Sequence, residues 1–125
     1  MSKARLVFVV LVSVLSGCAN EHKTVLAPPA TPEIAQQIQS DFQQVDPSTQ
    51  VGLIDAVMPD HHLAAISHVD VSAFHPGQAI SFIDSNKNTL GQGTVVRIVN
   101  NLVIAHYDHV VRPLRAGDLA VEVKI

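Results

Sequence analysis

The chain has one cysteine, no tryptophan and few aromatic residues, and its basic side chains are outnumbered by acidic ones, eight to eleven. A lone cysteine cannot close an internal disulfide, so any folded domain here must be held together by packing. The sequence has no cluster of Lys and Arg and no run of aromatic residues. A surface of this kind repels phosphate backbones, which predicts that nucleic acid is not a partner.

The longest apolar run lies at the start of the chain and is too short to cross a membrane. Lys3 and Arg5 precede residues 6–15, which are almost entirely apolar, and small residues follow. A membrane-spanning helix needs about 20 apolar residues, roughly twice this number. The order of positive, apolar and small residues is instead typical of an export signal, predicted here over residues 1–17.

The signal ends in Leu15-Ser16-Gly17-Cys18, which resembles the lipobox of bacterial lipoproteins. The resemblance implies cleavage before Cys18, lipid attachment to its thiol and three acyl chains including palmitate. Two or more chains give lasting membrane anchorage. Ala19 stands where retained inner-membrane lipoproteins often carry Asp, so the resemblance implies the periplasmic face of the outer membrane. The outer leaflet of the inner membrane and the cell surface are the alternatives.

The mature part, residues 18–125, carries a net charge of −5 once Lys3 and Arg5 are removed. Residues 18–30 are polar or rich in proline and lack periodicity, which predicts a flexible tether. Residues 31–46 are predicted to form an amphipathic helix, because Thr31-Pro32-Glu33 is a typical helix start. The apolar stripe of this helix consists of Ile34, Ile38, Phe42 and Val45. Two interpretations of this stripe are open. It is predicted either to cover one side of the following domain or to dock on a partner or a second copy of the chain.

Residues 50–125 alternate short β-rich runs with turn residues, which predicts a mainly β domain. The predicted strands are 51–58, 63–69, 78–84, 94–99, 102–107 and 118–125. Six short strands would expose an apolar face as one flat sheet, so closure into a barrel is favoured. The arrangement of glycines and hairpins over residues 51–125 resembles the SH3-like small β-barrels of bacterial envelope proteins. That resemblance implies a binding or assembly module without catalytic residues.

The two halves of this domain resemble each other, each with the order strand, turn, strand, loop, glycine turn and strand. Gly77 and Gly117 recur 40 residues apart. Five positions recur 41 residues apart, namely Gly52, Ile54, Val57, Leu63 and Ala64 against Gly93, Val95, Ile98, Ile104 and Ala105. The repeat has one mismatch: if Leu119 and Val121 face inward, Ile80 and Phe82 are one register away.

Histidine is the one abundant reactive side chain, with seven copies. His106 and His109 form an H-x-x-H pair, and Asp60 precedes His61-His62 at a predicted turn. Because strand residues i and i+3 face opposite sides, His106 and His109 can share a metal only if their strand ends at Tyr107. A metal site built from this pair and a histidine of another strand is therefore an alternative prediction.

Catalytic patterns are weak in this sequence. Ser67-His68 with Asp70 is the nearest approach to a nucleophilic triad, but adjacent strand residues face opposite ways. Gly91 and Gly93 precede a predicted strand, which favours a hairpin over a phosphate-binding loop. Asp55 interrupts an apolar strand and is expected at an edge or in the barrel lumen. We therefore expect no enzyme activity and no cofactor.

The leading prediction is a non-enzymatic, lipid-anchored module of an envelope assembly. Open strand edges or the helix stripe would dock an envelope protein or a second copy of the chain. The rival prediction is a periplasmic metal-binding protein that uses clustered histidines.

Replacing Cys18 by Ala tests the lipid attachment directly. Because the thiol is the acceptor of the lipid, we expect the Cys18→Ala chain to stay uncleaved and to incorporate no labelled palmitate in growing cells. The measurement is autoradiography of the immunoprecipitated chain, with Ser16→Ala as a matched control that keeps the label. Palmitate in the Cys18→Ala chain would contradict the lipobox prediction.

Overall fold

The computed structural model describes residues 27–123, so the predicted export signal, Cys18 and residues 18–26 of the predicted tether lie outside the described residues. One helix, α1, precedes six strands. The elements are α1 (Pro32–Gln43), β1 (Val51–Met58), β2 (Leu63–Ser67), β3 (Ala79–Ile83), β4 (Thr89–Val99), β5 (Leu102–Val110) and β6 (Leu119–Glu122). Within the described range, no helix combines the length and the apolar character that a membrane span requires.

The strands form a closed antiparallel barrel in the order β1-β2-β5-β4-β3-β6. The prediction of a mainly β protein with a small SH3-like barrel of six strands after one helix is confirmed. Because β6 pairs with both β1 and β3, each strand of the ring has two neighbours. The predicted docking on open strand edges is therefore wrong for this barrel, since closure removes the edges.

The barrel has the twofold topology that the repeated glycines predict. Exchanging β1 with β4, β2 with β5 and β3 with β6 reproduces the same set of strand pairs. Ala64 pairs with Ala105, and these are the two copies of one repeat position. Gly77 and Gly117 have φ angles of 92° and 97°, which glycine adopts without the steric strain of a side chain. Each half of the chain therefore contributes one copy of the same three-strand unit.

Strand β6 is buried on both faces, which removes the mismatch in the repeat. Ala120 faces the barrel interior with Ile80 and Phe82. Leu119 and Val121 face outward and are covered by the helix. The sequence interpretation that placed Leu119 and Val121 on the inner face is wrong, because alternation along one short strand does not distinguish the core from a second buried layer.

Helix α1 covers the outside of β1, β6 and β3. The Thr31 hydroxyl caps it by accepting a 3.3 Å hydrogen bond from the backbone N–H of Ile34. Ala35 and Ile38 are buried against the barrel, with Phe42 partly buried beside them. The stripe thus covers one side of the barrel, which was the first of the two predictions for it.

The helix contact differs from the predicted stripe at both ends. Ile34 is 40% exposed and Val45 is 90% exposed, whereas Ala35 joins the contact. The helix ends at Gln43 rather than at residue 46, because the N–H of Val45 bonds to Phe42 O three residues back. The side chain of Asp46 then accepts hydrogen bonds from the N–H and hydroxyl of Ser48, which begins the next turn.

Residues 27–30, the last four of the predicted tether, lie on the barrel. The N–H of Ala30 donates to Gly117 O at 2.8 Å, and the Ser85 hydroxyl donates to Pro28 O at 2.7 Å. A side chain at Gly117 would collide with Pro29, since an added Cβ would lie 2.5 Å from its Cβ. The prediction of a flexible tether is therefore wrong for these four residues, which fill the space that a glycine leaves open.

Strand β4 begins at Thr89, five residues earlier than predicted. Gly91 and Gly93 lie inside this strand and not in a hairpin loop. An added Cβ would lie 2.5 Å from His109 O at Gly91 and 2.5 Å from His106 O at Gly93. The two glycines therefore allow β4 to approach β5 closely, a packing reason that hairpin signals do not reveal.

The loop before β6 is fastened by a buried ion pair. Asp118 is 1% exposed, and the Arg112 guanidinium donates to both of its carboxylate oxygens, at 2.9 and 2.6 Å. The backbone N–H of Arg115 donates to the same carboxylate at 2.9 Å. The hydrogen bonds to Asp118 raise the pKa of the Arg112 guanidinium. Asp118 is therefore a buried charge with several hydrogen-bond partners.

Removing Arg112 should be costly, because the buried Asp118 carboxylate then loses both short guanidinium hydrogen bonds and keeps as its charged partner only the more distant Arg115 side chain, whose Nε lies 3.8 Å from Oδ1. We expect Arg112→Ala to lower the free energy of unfolding by about 3 kcal/mol or more, measured by denaturant titration at neutral pH. Arg97→Ala is the matched control, since Arg97 is exposed on β4, and should change stability by less than about 0.5 kcal/mol. Equal losses in both variants would contradict the assignment.

The helix contact can be tested with two isoleucines one turn apart. Ile38→Ala removes buried side-chain volume and should lower the free energy of unfolding by about 3 kcal/mol. Ile34→Ala should cost less than about 1 kcal/mol, because this side chain is already partly hydrated. Thermal unfolding followed by circular dichroism measures both, and similar losses would show that the helix does not pack as described.

Candidate functional site

Two histidines and one carboxylate meet at one end of the barrel, between the β1–β2 connection and β5. The ligand atoms of His62, His106 and Asp108 all lie within 4.8 Å of one another. His106 and Asp108 are two residues apart on β5, a spacing that places strand side chains on one face. Their Nδ1 and Oδ1 atoms are 3.7 Å apart.

The predicted H-x-x-H pair does not form this group. Strand β5 continues past Tyr107 to Val110, so the condition for a joint site of His106 and His109 is not met. The strand contains a β-bulge between Tyr107 and Val110, and the carboxylate of Asp108 takes the position beside His106. The i, i+2 spacing of His106 and Asp108 within a strand is a signal that the sequence carries, whereas the H-x-x-H spacing directed the prediction to His109.

His62 is held in place by backbone and ring contacts. It follows the 3₁₀ turn Pro59–His61 with φ 53°, a left-handed conformation that directs the chain into β2. Its carbonyl accepts a 3.0 Å hydrogen bond from the Tyr107 N–H. Its imidazole stacks on the Tyr107 ring, with centroids 5.6 Å apart and planes 25° apart.

Tyr107 links this group to the barrel core. Its ring lies edge-on to Phe82 at 6.1 Å between centroids, and Phe82 is fully buried. Burial raises the pKa of the Tyr107 hydroxyl above its ordinary value. The His62 ring therefore stacks on a side chain that the core itself holds in position.

The remaining histidines of the described range are dispersed. His61, His68, His75 and His109 are exposed, and none of them belongs to the group at His62. His22 lies outside the described residues. The histidines of the described range are therefore one local pair beside Asp108 and four separate surface residues.

Ser67 and His68 are in contact, which the sequence interpretation of adjacent strand residues did not expect. The Ser67 hydroxyl lies 2.9 Å from His68 Nδ1. Strand β2 ends at Ser67, and His68 has φ 60°, so the alternation of a strand no longer applies there. The triad is still incomplete, because the Asp70 carboxylate accepts the hydroxyl and N–H of Ser72. These bonds lower the pKa of Asp70.

Asp55 lies at a β-bulge and points into solvent. The pairing of β1 with β2 shifts register between Ile54 and Ala56, which leaves Asp55 as the extra residue. Its side chain is exposed, so of the two predicted places, an edge or the barrel lumen, the lumen is wrong. A bulge accommodates a charge in an apolar strand without burying it.

The outer face of β2, β5 and the second half of β4 is apolar and lies diametrically opposite β6 and its helix. Strand pairing sets Ala65 beside Ile104 and Val99 beside Leu102. Met58, Val96 and Val99 are 42–47% exposed. We call this surface the β5 face, defined by Ala56, Met58, Leu63, Ala65, Val96, Val99, Leu102 and Ile104.

The β5 face was not predicted from the sequence. Docking was predicted on the helix stripe and on open strand edges instead. One signal was present, the pair Val95-Val96 in β4. Val95 faces the core, and the register shift between Val95 and Arg97 turns Val96 outward. If β4 is assumed to be regular, Val96 is one isolated exposed apolar residue. Such residues are common on protein surfaces and do not indicate a docking site.

A groove of about 290 Å³ separates the start of α1 from β1. Its polar wall includes Glu33, Gln36, Gln39 and His68. Ligand pockets usually range from about 300 to 1,000 Å³, so this groove is at the lower limit for a small molecule.

Comparison with known proteins adds no relative to these observations. Neither the scan against protein-family models nor the search of curated proteins finds a match to this sequence.

Proposed function

We propose that this protein is a non-enzymatic lipoprotein, anchored in the outer membrane through Cys18, whose barrel docks an envelope protein on the periplasmic side. The lipobox-like end of the export signal supports the anchor. The SH3-like barrel supports a binding role, because small barrels filled by their own side chains have little interior space for a substrate. The docking surface in this function is the β5 face.

The apolar character of the β5 face is the observation that carries this proposal. Eight apolar side chains lie on neighbouring strands there. Met58, Val96 and Val99 are 42–47% exposed, whereas Ile104 at the centre is buried among its neighbours. The opposite side of the barrel carries a similar apolar surface, and there α1 covers it. Contiguous exposed apolar surface on a small soluble domain commonly marks an interaction site.

The polar groups near this face suit the margin of an interface. Arg97 pairs with Ile104, and His106 pairs with Leu63, so both lie beside apolar neighbours. Protein interfaces typically place an apolar centre inside a polar rim, and arginine is frequent in them.

The docked segment 27–30 sets the side from which the chain reaches the lipid. It lies against Gly117 before β6 and Ser85 after β3, on the side away from β5. Eight residues, 19–26, separate it from Cys18, and they span at most about 30 Å when extended. In this proposal the barrel stays close to the membrane and directs the β5 face away from the segment that leads to the anchor.

Placing charges on the β5 face tests the docking. We expect Val96→Lys with Val99→Lys to melt like the natural chain, since both side chains are already exposed, but to lose a larger membrane complex. The measurement is the sedimentation of the lipidated chain after mild solubilisation. Gln36→Lys, exposed on α1, is the matched control and should keep the complex.

Two outcomes of this experiment would contradict the proposal. If the natural chain sediments only as a monomer, it has no bound partner. If the complex persists in the variant with both lysines, the β5 face is not the docking surface. If the purified chain alone forms the larger species, the partner is a second copy and not another envelope protein.

A further inference from the structure

The group of His62, His106 and Asp108 has the composition of a metal site. Two imidazole nitrogens and one carboxylate oxygen are donors that zinc and related divalent metals accept. One carboxylate supplies a single negative charge, whereas calcium and magnesium sites use more oxygen ligands. The donor set therefore favours a divalent transition metal over the hard cations.

The distances in the group are close to those of a tetrahedral site. Zinc bonds of about 2.0–2.1 Å place neighbouring ligand atoms about 3.3 Å apart. His106 Nδ1 and Asp108 Oδ1 are 3.7 Å apart, and the whole group lies within 4.8 Å. Asp108 is exposed, so rotation of its side chain can close the remaining gap without disturbing the core.

The backbone at these positions is already ordered, which lowers the entropic cost of binding. The His62 carbonyl is bonded to the Tyr107 N–H, and Leu63 pairs with His106 across β2 and β5. The stacking of the His62 imidazole on Tyr107 limits the orientations of that ring. The imidazoles of His62 and His106 lie with centroids 6.2 Å apart, on the same end of the barrel.

We propose that His62, His106 and Asp108 bind one zinc ion, or a divalent transition metal of similar preference, with a fourth position open to water or to a ligand from a partner. His106 lies on the outer surface next to Leu63 of the β5 face, so a bound ion would lie at the margin of that face. Metal binding does not depend on docking, and either can exist without the other.

Zinc titration of the full chain tests this site. The protein is stripped with a chelator, dialysed and titrated with zinc chloride by calorimetry in detergent solution. We expect one zinc ion per chain and a rise in melting temperature, because binding to the folded state stabilises it. Magnesium chloride at the same concentrations should produce neither effect.

Single variants then assign the ligands. His106→Gln and Asp108→Asn should each weaken zinc binding about tenfold or more while the melting temperature without metal stays unchanged. His109→Gln is the matched control, because it removes a nearby exposed histidine on the same strand that is outside the group, and it should leave affinity unchanged.

A second readout separates this site from general surface binding. Cobalt in place of zinc should give visible absorption bands in the natural chain and in His109→Gln, and the bands should be lost in His106→Gln. Absence of stoichiometric zinc binding would overturn the proposal. Binding that survives His106→Gln and Asp108→Asn, or that depends on His109, would place the metal elsewhere and would also overturn it.

Discussion

The burial of β6 on both of its faces is the constraint on which the rest of this structure depends. This four-residue strand closes the barrel by pairing with β1 and β3. Its inner side contributes Ala120 to the core, and its outer side packs Leu119 and Val121 beneath α1. Without the helix, these two side chains would lie in water, so closure of the barrel and docking of the helix stabilise each other.

The ion pair of Arg112 and Asp118, which precedes β6, also holds this strand in position. Asp118 stands immediately before Leu119, and its carboxylate binds Arg112 and the N–H of Arg115. The backbone oxygen of Asp118 accepts from the N–H of Ile54, which extends the contact of β6 with β1. A buried charge of this kind adds little net stability when paired, but it strongly disfavours any arrangement that breaks the pair. It therefore fixes where β6 begins.

The sequence predicted the fold better than it predicted the surfaces. Glycine spacing and hydrophobic alternation were sufficient for six strands, a barrel and an internal repeat, because these patterns depend on local periodicity. The docking of residues 27–30, the inward and outward faces of β6 and the bulges at Asp55 and Asp108 depend on contacts between distant segments. His106 was predicted as a candidate ligand and His62 was noted at a turn, but only the pairing of β2 with β5 brings His62 to His106. Asp108 lies two residues from His106 on the same strand.

The helix and the β5 face divide the outer surface of the barrel into a covered and an uncovered half. Photo-cross-linking in intact cells tests this division most directly, with a benzoyl-phenylalanine placed at Val99 of the β5 face or at Gln36 on α1. The account predicts a covalent adduct with an envelope protein from position 99 and none from position 36. Adducts only from position 36, or none from position 99, would contradict it.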